Sequence, residues 1–311
     1  MKLLIAGTSG LDTIETPFGR KENILGGSGI HASISASFFG PLSLLSIVGE
    51  DFPTTQVDFL EGRGIDTRGI KKASGKTFHW EGSYEYDMNH AHTKKTDLNT
   101  LLNFDSRLSP ELKKAEYVFL ANLDPDLQLM VIEQLEAPKF IAADTMNFWI
   151  ESKRSSLHKL IKKVDFMLLN EGEARQFMET PNLPLAGRRI LELGAKGAII
   201  KKGEHGAVVF TPDAFFSAAS YPQEELKDPT GAGDSFAGGF IGYLAQSGDL
   251  SPGNIRTAVI FGSVMASFNV EDFGPDRMRR LTHREIKKRF DEFKRFSHFD
   301  EEEKCWKNLN W

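Results

Sequence analysis

Short apolar segments recur along the chain, and stretches with the period of an α-helix separate most of them. The apolar segments do not alternate regularly between apolar and polar residues. Strands that are apolar on both faces and alternate with helices predict an α/β fold with a doubly wound, mostly parallel central sheet. The predicted strands are 3–6, 42–48, 117–120, 140–143, 166–169, 198–200 and 207–210, and the predicted helices are 30–39, 126–135, 157–164, 171–178 and 188–193.

Polar side chains stand at or soon after the ends of several predicted strands. Asp12 comes soon after the first strand, and Asp144 and Asn170 directly follow two later ones. Lys201 and Lys202 follow another. Each could simply cap a strand or start a helix. Because ligands of open α/β sheets bind at the carboxyl ends of the strands, these residues together predict a functional site there.

Two polar and aromatic segments, 13–25 and 77–97, interrupt the alternation of strands and helices. Residues 78–86 alternate with period two, which predicts a small antiparallel sheet attached to the main domain. This sheet could be a surface hairpin without a role, or a lid that shields a reactive centre from water. We therefore expect a main α/β domain, a β lid and a charged C-terminal extension, formed by residues 1–12, 26–76 and 98–293, by 13–25 and 77–97, and by 294–311, respectively.

The composition excludes several classes of protein. The 311 residues carry a net charge of −5, so we expect neither nucleic acid nor an anionic membrane as a partner. The stretch nearest to a membrane span, 258–268, contains polar residues and falls short of the roughly 20 residues needed. The single cysteine, Cys305, cannot form an internal disulfide, and the eight histidines show no zinc-ligand spacing. We therefore expect a cytoplasmic protein.

The strongest local motif is the segment from Asp228 to Phe240, Asp-Pro-Thr-Gly-Ala-Gly-Asp-Ser-Phe-Ala-Gly-Gly-Phe. Its glycine-rich loop leads into an apolar helix, and the free amide groups at such a helix start form a pocket for an anion such as phosphate. Asp234 falls in the first predicted turn. A carboxylate there could stabilise the helix start, or take a proton from a hydroxyl that attacks a bound phosphoryl group. The motif by itself leaves both roles open.

Two other segments lack the nucleotide-binding motifs that they superficially suggest. Residues 74–77, Ser-Gly-Lys-Thr, have no preceding glycine at the Walker A spacing and do not follow a buried strand. Residues 7–10, Gly-Thr-Ser-Gly, do not form the Gly-x-Gly-x-x-Gly fingerprint. A P-loop enzyme and an NAD-dependent dehydrogenase therefore have no support.

Two separated motifs make residues 2–293 resemble the ribokinase-like, phosphofructokinase-B (PfkB) family of sugar and nucleoside kinases. They are 26–32, Gly-Gly-Ser-Gly-Ile-His-Ala, and the segment 228–240 described above. Shorter agreements are Val-Gly-Glu-Asp at 48–51, Gly-Ile-Asp at 64–66, Asn-Glu-Gly-Glu at 170–173 and Lys-Gly-Glu-His-Gly at 202–206. The resemblance implies a ribokinase-like fold with a small β lid and an ATP-dependent phosphoryl transfer.

The resemblance assigns expected roles to the residues of the phosphoryl-transfer site. Asp234 matches the catalytic base, and the main chain of Gly231, Ala232 and Gly233 matches the anion hole for the transferred phosphoryl group. A lysine ammonium could add positive charge there. ATP is expected to contact residues after two strands, in a late glycine loop and on a helix of small residues, namely Asn170, Lys201, Gly203, Gly206 and Ser263.

The resemblance also implies metal ions. Asn170 and Glu173 match a pair that organises Mg2+, mainly through water, although the same two residues could be a strand cap and a helix-start carboxylate. Asp228 and Thr230 match positions that bind an activating monovalent cation such as K+ in some members. The sequence leaves the use of K+ open.

The expected acceptor site includes one departure from the family. Asp12 matches the aspartate that holds sugar hydroxyls, and Gly26 and Gly27 allow a close approach of the main chain. His31 stands where sugar kinases of the family usually have Asn, so it could read the acceptor differently or simply be a packed histidine. Trp80 and Tyr84 in the lid could stack on a sugar or a base, or pack the lid itself.

We therefore expect an ATP-dependent kinase that phosphorylates a hydroxyl of a small sugar or sugar-like acceptor. Adenosine or another nucleoside is the alternative acceptor. A protein of a different class, which binds a nucleotide or sugar without catalysis, is the third possibility, although the residues expected for transfer are all present. Lid strands of this family often pair between subunits, which suggests a homodimer through the lid.

Overall fold

The computed structural model describes residues 2–297, and its strands form two sheets. In chain order the strands are β1 (Leu3–Ala6), β2 (Gly10–Thr16), β3 (Gly19–Gly26), β4 (Leu42–Val48), β5 (Ile65–Asp66), β6 (Ile70–Lys72), β7 (His79–Tyr84), β8 (Ala91–Asp97), β9 (Tyr117–Leu120), β10 (Phe140–Asp144), β11 (Phe166–Asn170), β12 (Gly197–Lys201), β13 (Ala207–Phe210) and β14 (Phe215–Ala218). The α-helices are α1 (Ser28–Ala36), α2 (Thr54–Gly62), α3 (Pro125–Ile132), α4 (Asn147–Ser152), α5 (Arg154–Ile161), α6 (Glu171–Met178), α7 (Leu183–Glu192), α8 (Ala232–Ser247), α9 (Pro252–Asn269), α10 (Asp276–Arg280) and α11 (His283–Phe296).

The larger sheet has ten strands, in the order β14-β13-β12-β11-β10-β9-β1-β4-β5, and β6 pairs with β4. Neighbours from β12 to β5 are parallel, whereas β13 and β14 extend one edge antiparallel. Alternate residues of β1 enter two hydrophobic cores: Leu3 and Ile5 join residues of α1, α2 and α8 to α11, and Leu4 and Ala6 join residues of α3 to α7. The predicted doubly wound α/β sheet is confirmed.

The apolar segments predicted as strands all belong to the larger sheet. The sequence pattern does not reveal β5, β6 or β14. The first two contain only two and three residues, and β14 leaves Phe215 largely exposed at the edge of the sheet. Such short or half-exposed strands carry little apolar patterning.

The smaller sheet has four strands, in the order β3-β2-β7-β8. It consists of two antiparallel hairpins that join through a parallel pairing of β2 with β7. The predicted small β-sheet is confirmed, but Asp12 does not belong to the main domain, where we placed it. It lies within β2, because the chain enters the smaller sheet at Gly10. We call this sheet the lid.

The C-terminal part of the chain begins as a helix. α11 ends at Phe296 and therefore includes the start of the predicted extension, whereas residues 298–311, with Cys305, lie outside the described residues. Within residues 2–297, no helix has both the length and the apolar character that crossing a bilayer requires.

Small residues let α1 and α8 pack closely. A Cβ atom added to Gly238 would lie 2.2 Å from the carbonyl oxygen of Ala32, and one added to Gly242 would lie 2.9 Å from the Cα atom of Ala36. A buried hydrogen bond from Ser35 Oγ to the carbonyl oxygen of Ser235, 2.6 Å long, joins the same two helices. This contact holds the N-termini of α1 and α8 side by side.

We expect Gly238→Ala to lower the free energy of unfolding by about 1–3 kcal/mol, because the added methyl group meets main-chain atoms that cannot move alone. Gly253→Ala in α9 is the matched control: its Cβ would meet nothing within 4 Å, and alanine favours a helix by up to about 1 kcal/mol. Urea unfolding measures both. Equal stability of the two variants would contradict the close packing of α1 and α8.

Candidate active site

Two helix N-termini, each preceded by a glycine with positive φ, form the centre of the site. Gly27 precedes α1 with φ of 98°, and Gly231 precedes α8 with φ of 74°. A Cβ atom on Gly231 would lie only 2.4 Å from the ring of His31 in the first turn of α1. The two motifs of the sequence, 26–32 and 228–240, therefore meet, although about 200 residues separate them.

Asp234 lies in the first turn of α8, next to the loop formed by Gly231, Ala232 and Gly233. Burial raises the pKa of Asp234 to about 7; the negative charge of Asp144 adds to this rise, and Lys201 opposes it. A carboxyl group that changes protonation near neutral pH can accept a proton from a hydroxyl. This environment favours the role of a base over that of a simple helix cap.

Lys201, at the end of β12, brings a positive charge to the same loop. Its Nζ atom lies 2.5 Å from Oδ2 of Asp144 at the end of β10, and 3.1 Å from where a Cβ of Gly233 would be. Burial lowers the pKa of Lys201, but the charges of Asp144 and Glu173 more than offset this and raise it above its usual range. The ammonium group therefore stays charged beside the predicted anion hole.

Asn170 and Glu173 start α6 and hold each other in place. The Oδ1 atom of Asn170 accepts the amide hydrogen of Glu173 at 2.8 Å, and Oε2 of Glu173 accepts that of Asn170 at 2.7 Å. This reciprocal pair is a capping box, so the helix-start interpretation of these residues describes a real contact. Burial, together with the charge of Asp144, raises the pKa of Glu173 far above its usual range.

The cluster carries more acidic than basic groups. Asp144, Glu173 and Asp234 interact with one another, and Lys201 is the cation that offsets their charge. Within residues 2–297, no three Asp, Glu, His or Cys side chains converge closely enough to hold a metal ion alone. A buried site short of positive charge fits a divalent cation that is held mainly by water and phosphate oxygens.

Asp12 and His31 present buried polar atoms without protein partners. Burial raises the pKa of Asp12 to about 7, although the main-chain amide of Trp80 opposes the rise, and Oδ1 of Asp12 accepts no hydrogen bond. A Cβ atom on Gly26 would lie 2.0 Å from Oδ2 of Asp12, so this position requires glycine. Burial lowers the pKa of His31 to about 4, and its Nε2 atom is likewise unpaired.

Near the candidate site, two hydrogen bonds join the lid to the main domain. The hydroxyl group of Tyr84 accepts a hydrogen bond of 3.2 Å from Oγ1 of Thr230, directly before the anion-hole loop. Asn89, in the turn after β7, donates to Oε1 of Glu204 at 3.2 Å. Trp80 does not reach across in the same way: its Nε1 donates to Thr93 of the neighbouring lid strand, and its ring covers Gly82.

Asp228 and Thr230 are engaged in contacts with the protein. The two carboxylate oxygens of Asp228 accept the amide hydrogens of Thr230 and Gly274, at 2.8 and 2.9 Å. The carbonyl oxygen of Thr230 accepts a hydrogen bond of 2.7 Å from Nδ2 of Asn269. Burial raises the pKa of Asp228, whereas these amide donors oppose the rise.

The remaining residues expected to bind the nucleotide lie in the turn after β12 and in α9. Gly203 and Gly206 flank a turn after β12 and have φ of 53° and 81°, and a Cβ on Gly206 would lie 2.1 Å from the carbonyl oxygen of Ala218. Ser263 is 8% exposed in the middle of α9. Close packing explains the small size of Ser263 as well as an adenine pocket would.

Sequence reasoning missed three residues of this site or undervalued them. Asp144 was noticed as a strand-end residue but received no role, and its pairing with Lys201 is visible only once β10 and β12 are placed on either side of β11. Tyr84 received only a stacking role on the lid. Nothing in the sequence marks Asn269, which contacts residues far away in the chain.

Comparisons with known proteins identify the family of the chain. The model of the family described as "pfkB family carbohydrate kinase" matches residues 17–280. A cytidine kinase of Thermococcus kodakarensis is 28% identical over 78% of this chain and 88% of its own length.

Solved structures share the fold. A nucleoside kinase of Burkholderia thailandensis in complex with inosine has a TM-score of 0.76 at 18% identity, and covers 93% of this chain and 97% of its own. A ribokinase II structure from E. coli, in complex with ATP and Mg2+, has a TM-score of 0.77 at 20% identity, and covers 95% and 99%.

We expect Asp12→Asn to stabilise the ligand-free protein increasingly as the pH rises. The unfolded chain loses the Asp12 proton near pH 4 and the folded protein near pH 7, so between these values wild-type stability falls with rising pH. Asparagine cannot ionise. The free energy of unfolding of the variant, relative to that of the wild type, should rise by more than about 1 kcal/mol between roughly pH 5 and pH 8, measured by urea unfolding.

The matched control is Asp58→Asn, on the exposed surface of α2, which should shift stability by less than about 0.5 kcal/mol at both pH values. A constant difference between Asp12→Asn and the wild type across this range would show that Asp12 is not a buried acid.

Proposed function

Because the chain belongs to the pfkB family of carbohydrate kinases, we propose that it transfers the γ-phosphoryl group of ATP to a hydroxyl group of a nucleoside. Membership in this family makes it a phosphotransferase with an alcohol group as acceptor. One observation carries the assignment of the site: Asp234, the amide groups of residues 231–233 and the ammonium group of Lys201 converge at the start of α8. These are a base, an anion hole and a counter-charge.

The roles follow from the chemistry of phosphoryl transfer, which depends on positioning and on charge stabilisation. Asp234 takes the proton of the acceptor hydroxyl. The oxygen of that hydroxyl attacks the γ-phosphorus in line with the leaving oxygen of ADP. The amides of Gly231 and Gly233 donate to the transferred phosphoryl group, and that of Ala232 would join them on leaving the carbonyl oxygen of Pro229, to which it donates at 3.1 Å in this structure. Lys201 stabilises the same negative charge, with Asp144 holding its ammonium group in place.

We assign ATP to the loop after β12 and to the neighbouring strand end, with Asn170, Gly203, Gly206 and Ser263 as contacts. The excess of carboxylates around Lys201 supports a Mg2+ site organised by Asn170 and Glu173, mainly through water. Mg2+ would neutralise phosphate charge there when it is bound.

The residues expected for K+ keep acceptor capacity. Both side-chain oxygens of Asp228 accept amide hydrogens, the carbonyl oxygen of Thr230 accepts from Asn269, and Oγ1 of Thr230 donates to Tyr84. Each of these oxygens has a further lone pair, so these hydrogen bonds do not exclude a cation. The rate with and without K+ decides whether Asp228 and Thr230 bind one.

We assign the acceptor to the pocket beside Asp12, Gly26, Gly27 and His31, under the lid strand that carries Trp80. Two similarities support a nucleoside: the relative named as a cytidine kinase, and the neighbouring fold solved with inosine. A free sugar remains the second candidate, because Asp12 and His31 are groups that hold hydroxyls and neither reads a base by itself.

The lid also supports a proposed homodimer. Its outer strands, β3 and β8, have free edges within the described chain, and such edges can pair with a second copy. Several of their charges are already paired, for example Lys94 with Glu15 and Lys95 with Asp97. Light scattering that finds only monomers would exclude this assembly. A cytoplasmic location remains a prediction from the single cysteine.

We expect Asp234→Asn to lower kcat by about 10²–10⁴-fold, because general-base catalysis contributes about that much. ATP affinity, measured by calorimetry, should change little, since asparagine preserves the shape of the side chain. The exposed Asp213→Asn, between β13 and β14, is the matched control and should keep wild-type kcat. A loss of less than about tenfold in Asp234→Asn would remove the base from the mechanism.

We expect cytidine or inosine to exceed free ribose in kcat/KM by about tenfold or more, because the base adds buried surface that free ribose lacks. Coupled ADP detection with cytidine, inosine, adenosine, ribose and deoxyribose measures this. Replacing K+ by choline in the same assay measures whether a monovalent cation contributes to the rate. Better turnover of ribose would make a sugar the acceptor, and ATP binding without any turnover would identify a non-catalytic binding protein.

A further inference from the structure

We propose that Asn269 is a positioning residue of the acceptor site. It orients the imidazole of His31 so that Nε2 is a hydrogen-bond acceptor, and it fixes the loop before α8. The proposal rests on the proposed function, since it concerns how the same site recognises its acceptor. It implies that the group of the acceptor that faces His31 must be a hydrogen-bond donor, such as a hydroxyl.

Asn269 is the last residue of α9 and is fully buried. Its Nδ2 atom donates to the carbonyl oxygen of Thr230 at 2.7 Å. Its Oδ1 atom accepts from Oγ of Ser235 at 2.9 Å and lies 3.2 Å from Nδ1 of His31. One carboxamide therefore joins the loop before α8, the first turn of α8 and the first turn of α1.

These contacts determine the orientation of the amide. With Nδ2 toward Thr230, a donor meets a carbonyl oxygen; with the amide reversed, two oxygens would face each other. The Oδ1 atom of Asn269 therefore points to His31. Because an amide oxygen can only accept, Nδ1 of His31 must carry the hydrogen of this bond.

The protonation state of His31 then determines what its other nitrogen can do. Burial lowers the pKa of His31 to about 4, so the ring is neutral at physiological pH and carries one hydrogen. That hydrogen is on Nδ1. The Nε2 atom is consequently a bare acceptor, and it is buried without a protein partner.

Other unpaired atoms lie on the segments around it. Oδ1 of Asp12 and Oγ of Ser9 are also buried without a partner, and a Cβ atom on Gly27 would lie 2.6 Å from the carbonyl oxygen of Thr8. A buried polar group without a partner is destabilising. A polyhydroxylated acceptor pairs such atoms: hydroxyls donate to Nε2 of His31 and to an ionised Asp12.

The first test is independent of activity. In protein with 15N-labelled histidine and no ligand, the spectrum should show His31 with a protonated Nδ1 and a bare Nε2, and loss of these signals in His31→Asn assigns them. Asn269→Leu removes the acceptor for Nδ1 and should shift His31 toward the other tautomer. Ser235→Ala is the matched control, because it removes a different bond to the same oxygen and should leave the tautomer unchanged.

The second test uses acceptor analogues. With cytidine or inosine, replacement of the hydroxyl that faces His31 by hydrogen should lower wild-type kcat/KM tenfold or more, and fluorine should not restore it because fluorine cannot donate. With His31→Asn, kcat/KM for the fluoro analogue should be at least threefold higher than that for the deoxy analogue, because a carboxamide can donate a hydrogen bond to fluorine. Asn269→Leu should raise the acceptor KM tenfold or more while leaving the ATP KM within about twofold.

The outcomes separate this proposal from the proposed function. If no nucleoside or sugar is phosphorylated, the proposed function fails, and the histidine spectrum still decides the role of Asn269. A hydrogen on Nε2 in the wild type, or an unchanged tautomer and acceptor KM in Asn269→Leu, overturns the proposal. If Asn269→Leu does not fold, Asn269→Asp replaces it. The tautomer of His31 should persist in this variant, and kcat should fall tenfold or more because the donor to the carbonyl oxygen of Thr230 is lost. A wild-type kcat in Asn269→Asp would overturn the role of Asn269 in fixing the loop before α8.

Discussion

The close contact between α1 and α8 is the constraint on which the site depends. Gly238 and Gly242 let the two helices approach closely. A side chain at either position would overlap atoms of α1 or of Phe39, which follows α1. At the other end of this contact, Gly231 lies against the ring of His31. Two helix N-termini, each with a partial positive charge, are thereby brought to one place. At the start of α1 the amides of Ser28 and Gly29 already donate to Thr8, so the amides available to an anion lie at the start of α8. A phosphoryl group and its acceptor need such neighbouring sites.

Buried carboxyl groups outnumber the cations near these helix N-termini. Asp234, Asp144 and Glu173 share the charge of Lys201, and Asp12 lies near enough to Asp234 for their charges to interact. Without ligands, such a cluster avoids full ionisation by raising its pKa values, which lowers stability as the pH rises. Bound cations would supply the missing positive charge and favour the ionised forms. The same imbalance that weakens the empty protein prepares Asp234 to take a proton.

Local patterns in the sequence were sufficient for the main sheet and for the centre of the site. Fully apolar strands identified the sheet, and the glycine loop before Asp234 predicted the anion hole that we propose. The patterns failed where the chain makes a choice that only long-range packing decides. Asp12 follows β1 but enters β2 of the lid, and Asp144 meets Lys201 across an intervening strand. The bond between Asn269 and His31 joins residues 238 positions apart, and no local pattern could reveal it.

The lid joins both halves of the reaction because its contacts lie at different ends of the site. Tyr84 reaches the loop before α8, where the phosphoryl group would be transferred, and Asn89 reaches the turn that carries Gly203 and Gly206. Each contact is a single hydrogen bond between uncharged or exposed groups, worth about 1 kcal/mol. Separating the lid from the site at these two points therefore breaks little, whereas Leu11 of β2 and Leu25 of β3 pack in the core of the main domain and hold the base of the lid. Weak contacts at the site and a packed base fit the lid that we propose over the reacting groups, because such a sheet can move at one end and shield a phosphoryl group from water.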